Sequence, residues 1–181
     1  MLMISAVWFL ADAGLSAASS QPAAPGEISQ AQGEAGDSRV RFGPCWAAVH
    51  NTHNSTRDPG ENYVQAKTDV WCAKALAPGE TLTVESRIYV ELPTGGWHHM
   101  ETNVGVCPGR TGTTSWVNCW DNHFGRHRIM ESSVSALCSV GSTNDYVHYS
   151  WAQYRKADGS TYQGSAFKFT TDVHCEGADE T

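Results

Sequence analysis

Six cysteines, Cys45, Cys72, Cys107, Cys119, Cys138 and Cys175, are spread through a stretch that alternates apolar and polar residues. This pairing of features constrains the fold more than any other. An even cysteine set on a strand-like pattern predicts three disulfides formed in an oxidising compartment. Cytosolic redox buffers would keep such thiols reduced, so the chain is expected to be secreted. No C-x-x-C pair occurs, which removes the usual structural-zinc spacing. Six cysteines allow many connectivities. The short interval from Cys107 to Cys119 makes that pair the expected one, since a small loop between neighbouring strands closes easily.

The alternation is clearest over 80–92. Leu82, Val84, Ile88, Val90 and Leu92 fall on one face, and Thr81, Thr83, Glu85, Arg87, Tyr89 and Glu91 on the other. Only a strand places every second residue on one side. Pro78-Gly79 before it and Pro93-Thr94-Gly95-Gly96 after it are turn signals. The same period predicts Val64, Ala66, Val70 and Cys72 as inward. It predicts Val147, Tyr149 and Trp151 as inward on the next clear strand, and Phe167, Phe169, Val173 and Cys175 as sharing one face. Ala157-Asp158-Gly159-Ser160 reads as a hairpin turn with glycine at positive φ. About eight strands follow, near 45–52, 62–73, 80–92, 97–105, 113–120, 126–138, 145–156 and 161–175. No window carries a helical stripe. The expected fold is an all-β, disulfide-stapled antiparallel sandwich. A closed β-barrel is the alternative, since periodicity does not separate the two.

Met1 to Leu10 is apolar and is followed by Ser16-Ala17-Ala18, a small-x-small pattern. Residues 1–18 are therefore expected to be a signal peptide. The apolar run is too short for a stable membrane span. Residues 19–40 are rich in Ala, Gln, Gly, Pro and Ser and read as a linker. A single domain is expected over 41–176, with a polar tail at 177–181. A domain of this size needs no partner copy to bury its core, so a monomer is expected.

Charged residues are only 17% of the chain, and the net charge is -7. The termini hold much of the acidic excess, in Glu27, Glu34, Asp37, Asp179 and Glu180. No basic stripe is present, so nucleic acid is not an expected partner.

A resemblance appears over 146–175. Trp151-Ala152-Gln153-Tyr154-Arg155, Ala157-Asp158-Gly159, Tyr162 to Gly164 and Val173-His174-Cys175 carry it. Upstream, Val70-Trp71-Cys72 and Gly125-Arg126-His127-Arg128 fit the same picture. These segments resemble small exported β-domain proteins of actinobacteria. The resemblance implies export and a sheet-built fold, and it implies no activity.

Several chemistries lack their residues. There is no G-x-S-x-G elbow for a serine nucleophile. Six paired cysteines would leave no thiolate for catalysis. Glu85, Glu91, Glu101, Asp121 and Glu131 show no spacing that singles out a glycosidase pair. Eight histidines suggest a metal, with His123 and His127 beside Asp121 as the candidate ligands. On a strand, however, residues four apart lie about 13 Å from each other, too far for one ion. No metal or other cofactor is expected. Asn54-Ser55-Thr56 matches a glycan acceptor and marks a polar loop.

Aromatic residues are the remaining surplus. Tyr63, Trp71 and Tyr89 fall opposite the apolar faces of their strands, and Trp97, Trp116 and Trp120 lie nearby in sequence. Rings on a solvent-facing sheet would form a stacking surface for a cell-envelope glycan or another protein. A non-enzymatic secreted binding module is the leading expectation. A secreted hydrolase with an unrecognised carboxylate or histidine site is the second. The third is a toxin or enzyme inhibitor presenting disulfide-held loops.

Overall fold

The computed structural model describes residues 38–55, 62–109 and 128–176. Within them lie nine strands and no helix: β1 (Arg39–Phe42), β2 (Cys45–Val49), β3 (His53–Ser55), β4 (Tyr63–Cys72), β5 (Thr81–Glu91), β6 (Trp97–Pro108), β7 (Arg128–Leu137), β8 (Thr143–Arg155) and β9 (Thr161–His174). The strand expected at 113–120 lies outside the described residues, as do Cys119, the segments at 1–18 and 177–181, and most of 19–40. No helix among the described residues is long and apolar enough to cross a membrane.

The strands form two antiparallel sheets. The first runs β1-β2-β4-β3, with β7 on the other side of β4, and the second runs β6-β5-β8-β9. The expected strand at 45–52 is β2, which ends at Val49; a further short strand, β3, follows at His53–Ser55, and the two pair with successive parts of β4. β1, absent from the sequence reading, opens the first sheet against β2. The fold is a sandwich. Where the sheets approach most closely, Asn103 Nδ2 donates to Ser133 O at 2.7 Å. A side chain makes that bond, and no ladder joins β6 to β7 among the described residues. The end of the Met130 side chain fills the space over Gly105 that a Cβ would occupy.

β4 and β5 turn inward most of the residues their periodicity predicts; Val90 is partly buried, and Leu92 lies past the end of β5 and is 41% exposed. Val64, Ala66, Val70, Cys72, Leu82, Val84 and Ile88 are all buried. β8 does the reverse of its expectation. Its register with β5 sets Tyr146 beside Val90, Ala152 beside Val84 and Tyr154 beside Leu82. The core face of β8 is thus Tyr146, His148, Ser150, Ala152 and Tyr154, and Val147, Tyr149 and Trp151 point outward. Both faces of β8 carry apolar residues, so alternation alone could not choose between them.

Phe167 and Phe169 do not share a face with Val173 and Cys175. Tyr146 pairs with Thr170 but Asn144 pairs with Val173, so β9 carries one extra residue. This bulge sits at Asp172, whose φ is 56° and whose N–H donates to Asp145 Oδ1 at 2.9 Å. The extra residue flips the strand: Phe167 and Phe169 lie outside it and Val173 lies in the core. The hairpin at 157–160 forms as expected, with Lys156 N donating to Ser160 O and Gly159 at φ 86°.

Two apolar clusters fill the space between the sheets. One gathers Phe42, Ala47, Val70, Leu82, Val84, Met130 and Tyr154, and the other gathers Val64, Ile88, Val134, Tyr146 and Val173. A polar belt separates them. Thr68 Oγ1 lies 3.3 Å from both His148 Nε2 and Ser86 Oγ, and Ser86 Oγ donates to Ser132 Oγ at 3.2 Å. His148 Nδ1 donates to His50 O at 3.1 Å. The belt joins β4, β5, β7 and β8, and so ties one sheet to the other.

Cys45 pairs with Cys72 across β2 and β4, and Cys138 pairs with Cys175, bridging the end of β7 to the end of β9. The second bond therefore links the two sheets. Cys107 is also disulfide-bonded. Its expected partner, Cys119, lies outside the described residues.

Candidate functional site

The aromatic residues singled out in the sequence separate onto opposite sides of the sandwich. Tyr89 and Trp97 lie on the outer face of the second sheet, and Tyr63 and Trp71 on the outer face of the first. Trp116 and Trp120, together with the metal candidates Asp121, His123 and His127, lie outside the described residues.

The outer face of the second sheet is built by register. Tyr89 stands opposite both His99 on β6 and Val147 on β8, and Val147 stands opposite Phe169 on β9. One step along, Arg87 stands opposite Tyr149, which stands opposite Phe167. These residues form a third apolar cluster outside the core: Tyr89 and Val147 as its buried floor, and Trp97, Tyr149, Phe167 and Phe169 as a half-buried roof. Trp97 reaches across two strands to Phe169, with ring centroids 5.7 Å apart and planes at 59°. Phe167 meets Phe169 edge-on at 5.5 Å, and Tyr89 meets His99 edge-on at 5.3 Å. Such tilted contacts suit aromatic quadrupoles better than face-to-face stacking. Tyr89 is only 6% exposed, so it supports the surface and does not form it.

Charge is built into this face. Arg87 pairs with Glu85 through both Nε and Nη2, and both side chains are buried. The guanidinium lies 5.9 Å from the Tyr149 ring centroid, within cation–π range. Burial would lower the Arg87 pKa, but hydrogen bonds to Tyr89 and Glu85 raise it above the usual value. Arg87 therefore stays charged and Glu85 stays engaged. A buried ion pair is weak evidence for added stability, because desolvating both charges offsets their attraction.

Tyr149, Phe167 and Phe169 are members of this surface that sequence reasoning assigned elsewhere. Their signal was present: the opposite parity of β8 holds His148 and Ser150, which made it look like the solvent side. No described strand packs over the roof.

On the first sheet, Trp71 stacks with Trp46, with ring centroids 6.4 Å apart and planes at 17°. Trp46 is 38% exposed. Tyr63 lies at the far end of β4, opposite the exposed Leu137, and does not join them.

Among the described residues the histidines do not converge. His50 Nε2 lies 2.9 Å from Asp69 Oδ2, His99 Nε2 lies 2.7 Å from Thr102 Oγ1, and His174 Nδ1 lies 3.1 Å from Thr143 Oγ1. No group of three or more His, Cys, Asp or Glu side chains among the described residues could hold a metal ion. The buried carboxylate Glu80 accepts from Tyr154 Oη at 2.5 Å and from Ala77 N at 2.7 Å. Desolvation would raise its pKa, but these bonds and Lys74 bring it below the usual value. Glu80 thus anchors the loop before β5 and offers no free acid. No protein-family model matches the chain, and no curated protein is significantly similar to it.

Proposed function

We propose that this protein is an exported, non-enzymatic binding module that engages a cell-envelope glycan through the outer face of the β6-β5-β8-β9 sheet. The observation that carries this reading is the ring cluster of Trp97, Tyr149, Phe167 and Phe169, gathered from three strands on a face that no described strand covers. Rings of this kind pack against the C–H faces of sugars, and the buried Glu85–Arg87 pair holds the sheet beneath them in one geometry. Export is supported by the apolar segment ahead of Ser16-Ala17-Ala18 and by the disulfides, which persist in oxidising compartments. The resemblance to exported actinobacterial β-domain proteins agrees with it.

Co-sedimentation with insoluble peptidoglycan, chitin and cellulose tests the reading, using protein from residue 19 onward made in an oxidising compartment. The wild type is expected to pellet with at least one of these. Trp97→Ala and Phe167→Ser are expected to remain in the supernatant while keeping the wild-type far-UV spectrum. A wild type that pellets with none of the three overturns the glycan assignment.

A further inference from the structure

We infer that a second, separate site lies on the opposite side of the sandwich, where Arg41, Trp46 and Trp71 form a strip that takes a saccharide bearing a carboxylate. The strip is set by register. Arg41 on β1 is the partner of Trp46 on β2, and Trp46 of Trp71 on β4. Three neighbouring strands thus place Arg, Trp and Trp in one row. At roughly 4.8 Å between strands, the row spans about 10 Å, room for a pair of sugar rings.

Three observations point to the ligand chemistry. The indoles are nearly parallel and lie on the outer face, with Trp46 38% exposed, so they offer ring surface to the C–H face of a sugar. Arg41 is exposed, and among the described residues no carboxylate pairs with it. Its Nε donates to Gly43 O at 3.4 Å, in the turn between β1 and β2. A guanidinium matches a carboxylate bidentately. The neighbouring row is balanced by contrast: Asp69 lies against His50, and Glu131 against Lys67 at 3.6 Å. Among the described residues, Arg41 is thus the charged member of this strip for which no carboxylate partner is found. A single-stranded nucleic acid would also stack on indoles, but it needs a basic groove along its backbone. One guanidinium beside two indoles does not supply such a groove.

The test is tryptophan fluorescence titration and calorimetry with tetragalacturonate, its fully methyl-esterified form, a neutral cello-oligosaccharide and an oligothymidylate. Tetragalacturonate is expected to bind. The ester and Arg41→Gln are each expected to weaken binding about tenfold, the loss of one charge-assisted contact. Trp46→Ala should abolish binding. Arg41→Gln, a surface change, should melt as the wild type does. Trp97→Ala, on the other face, should bind tetragalacturonate normally, which separates this site from the glycan platform proposed above. Equal binding of acid and ester, unchanged binding by Arg41→Gln, or tighter binding of the oligothymidylate overturns the inference.

Discussion

His148 shows at the scale of one side chain how this core is specified. It is fully buried between the sheets, and burial pushes its pKa down to about 4. The carbonyl of His50 partly opposes that shift, and the nearby His50 charge adds to it. Lys168 is the register partner of His148 on β9. The imidazole is thus neutral in the fold at neutral pH, with Nδ1 carrying the proton. The sign of the linkage follows. In the unfolded chain the ring protonates near 6.5, so the unfolded state takes up its proton first. The neutral ring's stabilisation is complete above pH 6.5 and is lost as pH falls toward 4. A shift of this size corresponds to about 3 kcal/mol. Urea denaturation of the wild type and His148→Gln between pH 7 and 4 measures it. The variant is expected to be less stable at pH 7 and to lose about 3 kcal/mol less on acidification. Parallel curves for the two proteins would remove His148 as the cause.

β8 and β9 show at the scale of the element what alternation leaves open. A period of two divides a strand into two faces but does not say which face meets the other sheet. On β5 the answer was legible, because one face held Leu82, Val84 and Ile88 and the other held Thr83, Glu85 and Arg87. On β8 both faces hold aromatic and small apolar residues, and pairing with β5 made the choice. The bulge at Asp172 was hidden for a different reason. An extra residue in one strand has meaning only against its partner, and nothing in the sequence around it is a glycine. Asp tolerates the left-handed region because its short side chain is small and polar, whereas a β-branched residue does not. Asp172→Val is therefore expected to lower stability by about 1–2 kcal/mol, measured by urea denaturation, and Asp172→Gly to be neutral or better. If Asp172→Val is as stable as the wild type, the bulge does not need this backbone conformation. The candidate surface was legible only as far as its strands were. Tyr89 was found by parity and Trp97 as part of the aromatic surplus, while Tyr149, Phe167 and Phe169 required the β8 register and the β9 bulge.

At the scale of the whole molecule, two sheets with a divided core are held by links of two kinds, the polar belt in the middle and Cys138–Cys175 at one end. That disulfide closes a loop of 37 residues, which in the chain-entropy account stabilises the fold by about 4 kcal/mol. Removing both cysteines, as Cys138→Ala with Cys175→Ala, should lower the urea midpoint accordingly. A non-reducing peptide map of the wild type should return Cys138 joined to Cys175 and Cys45 joined to Cys72, and other partners for these four would contradict the fold. The sequence by itself determined that the chain is sheet-built and cross-linked, because strand period and cysteine number are local properties that survive without a partner. Only the tertiary structure decided sandwich over barrel, which face of β8 is core, and that the described tryptophans stand on two opposite surfaces. Those choices depend on which backbone edges pair and in what register, and register is a relation between strands distant in sequence.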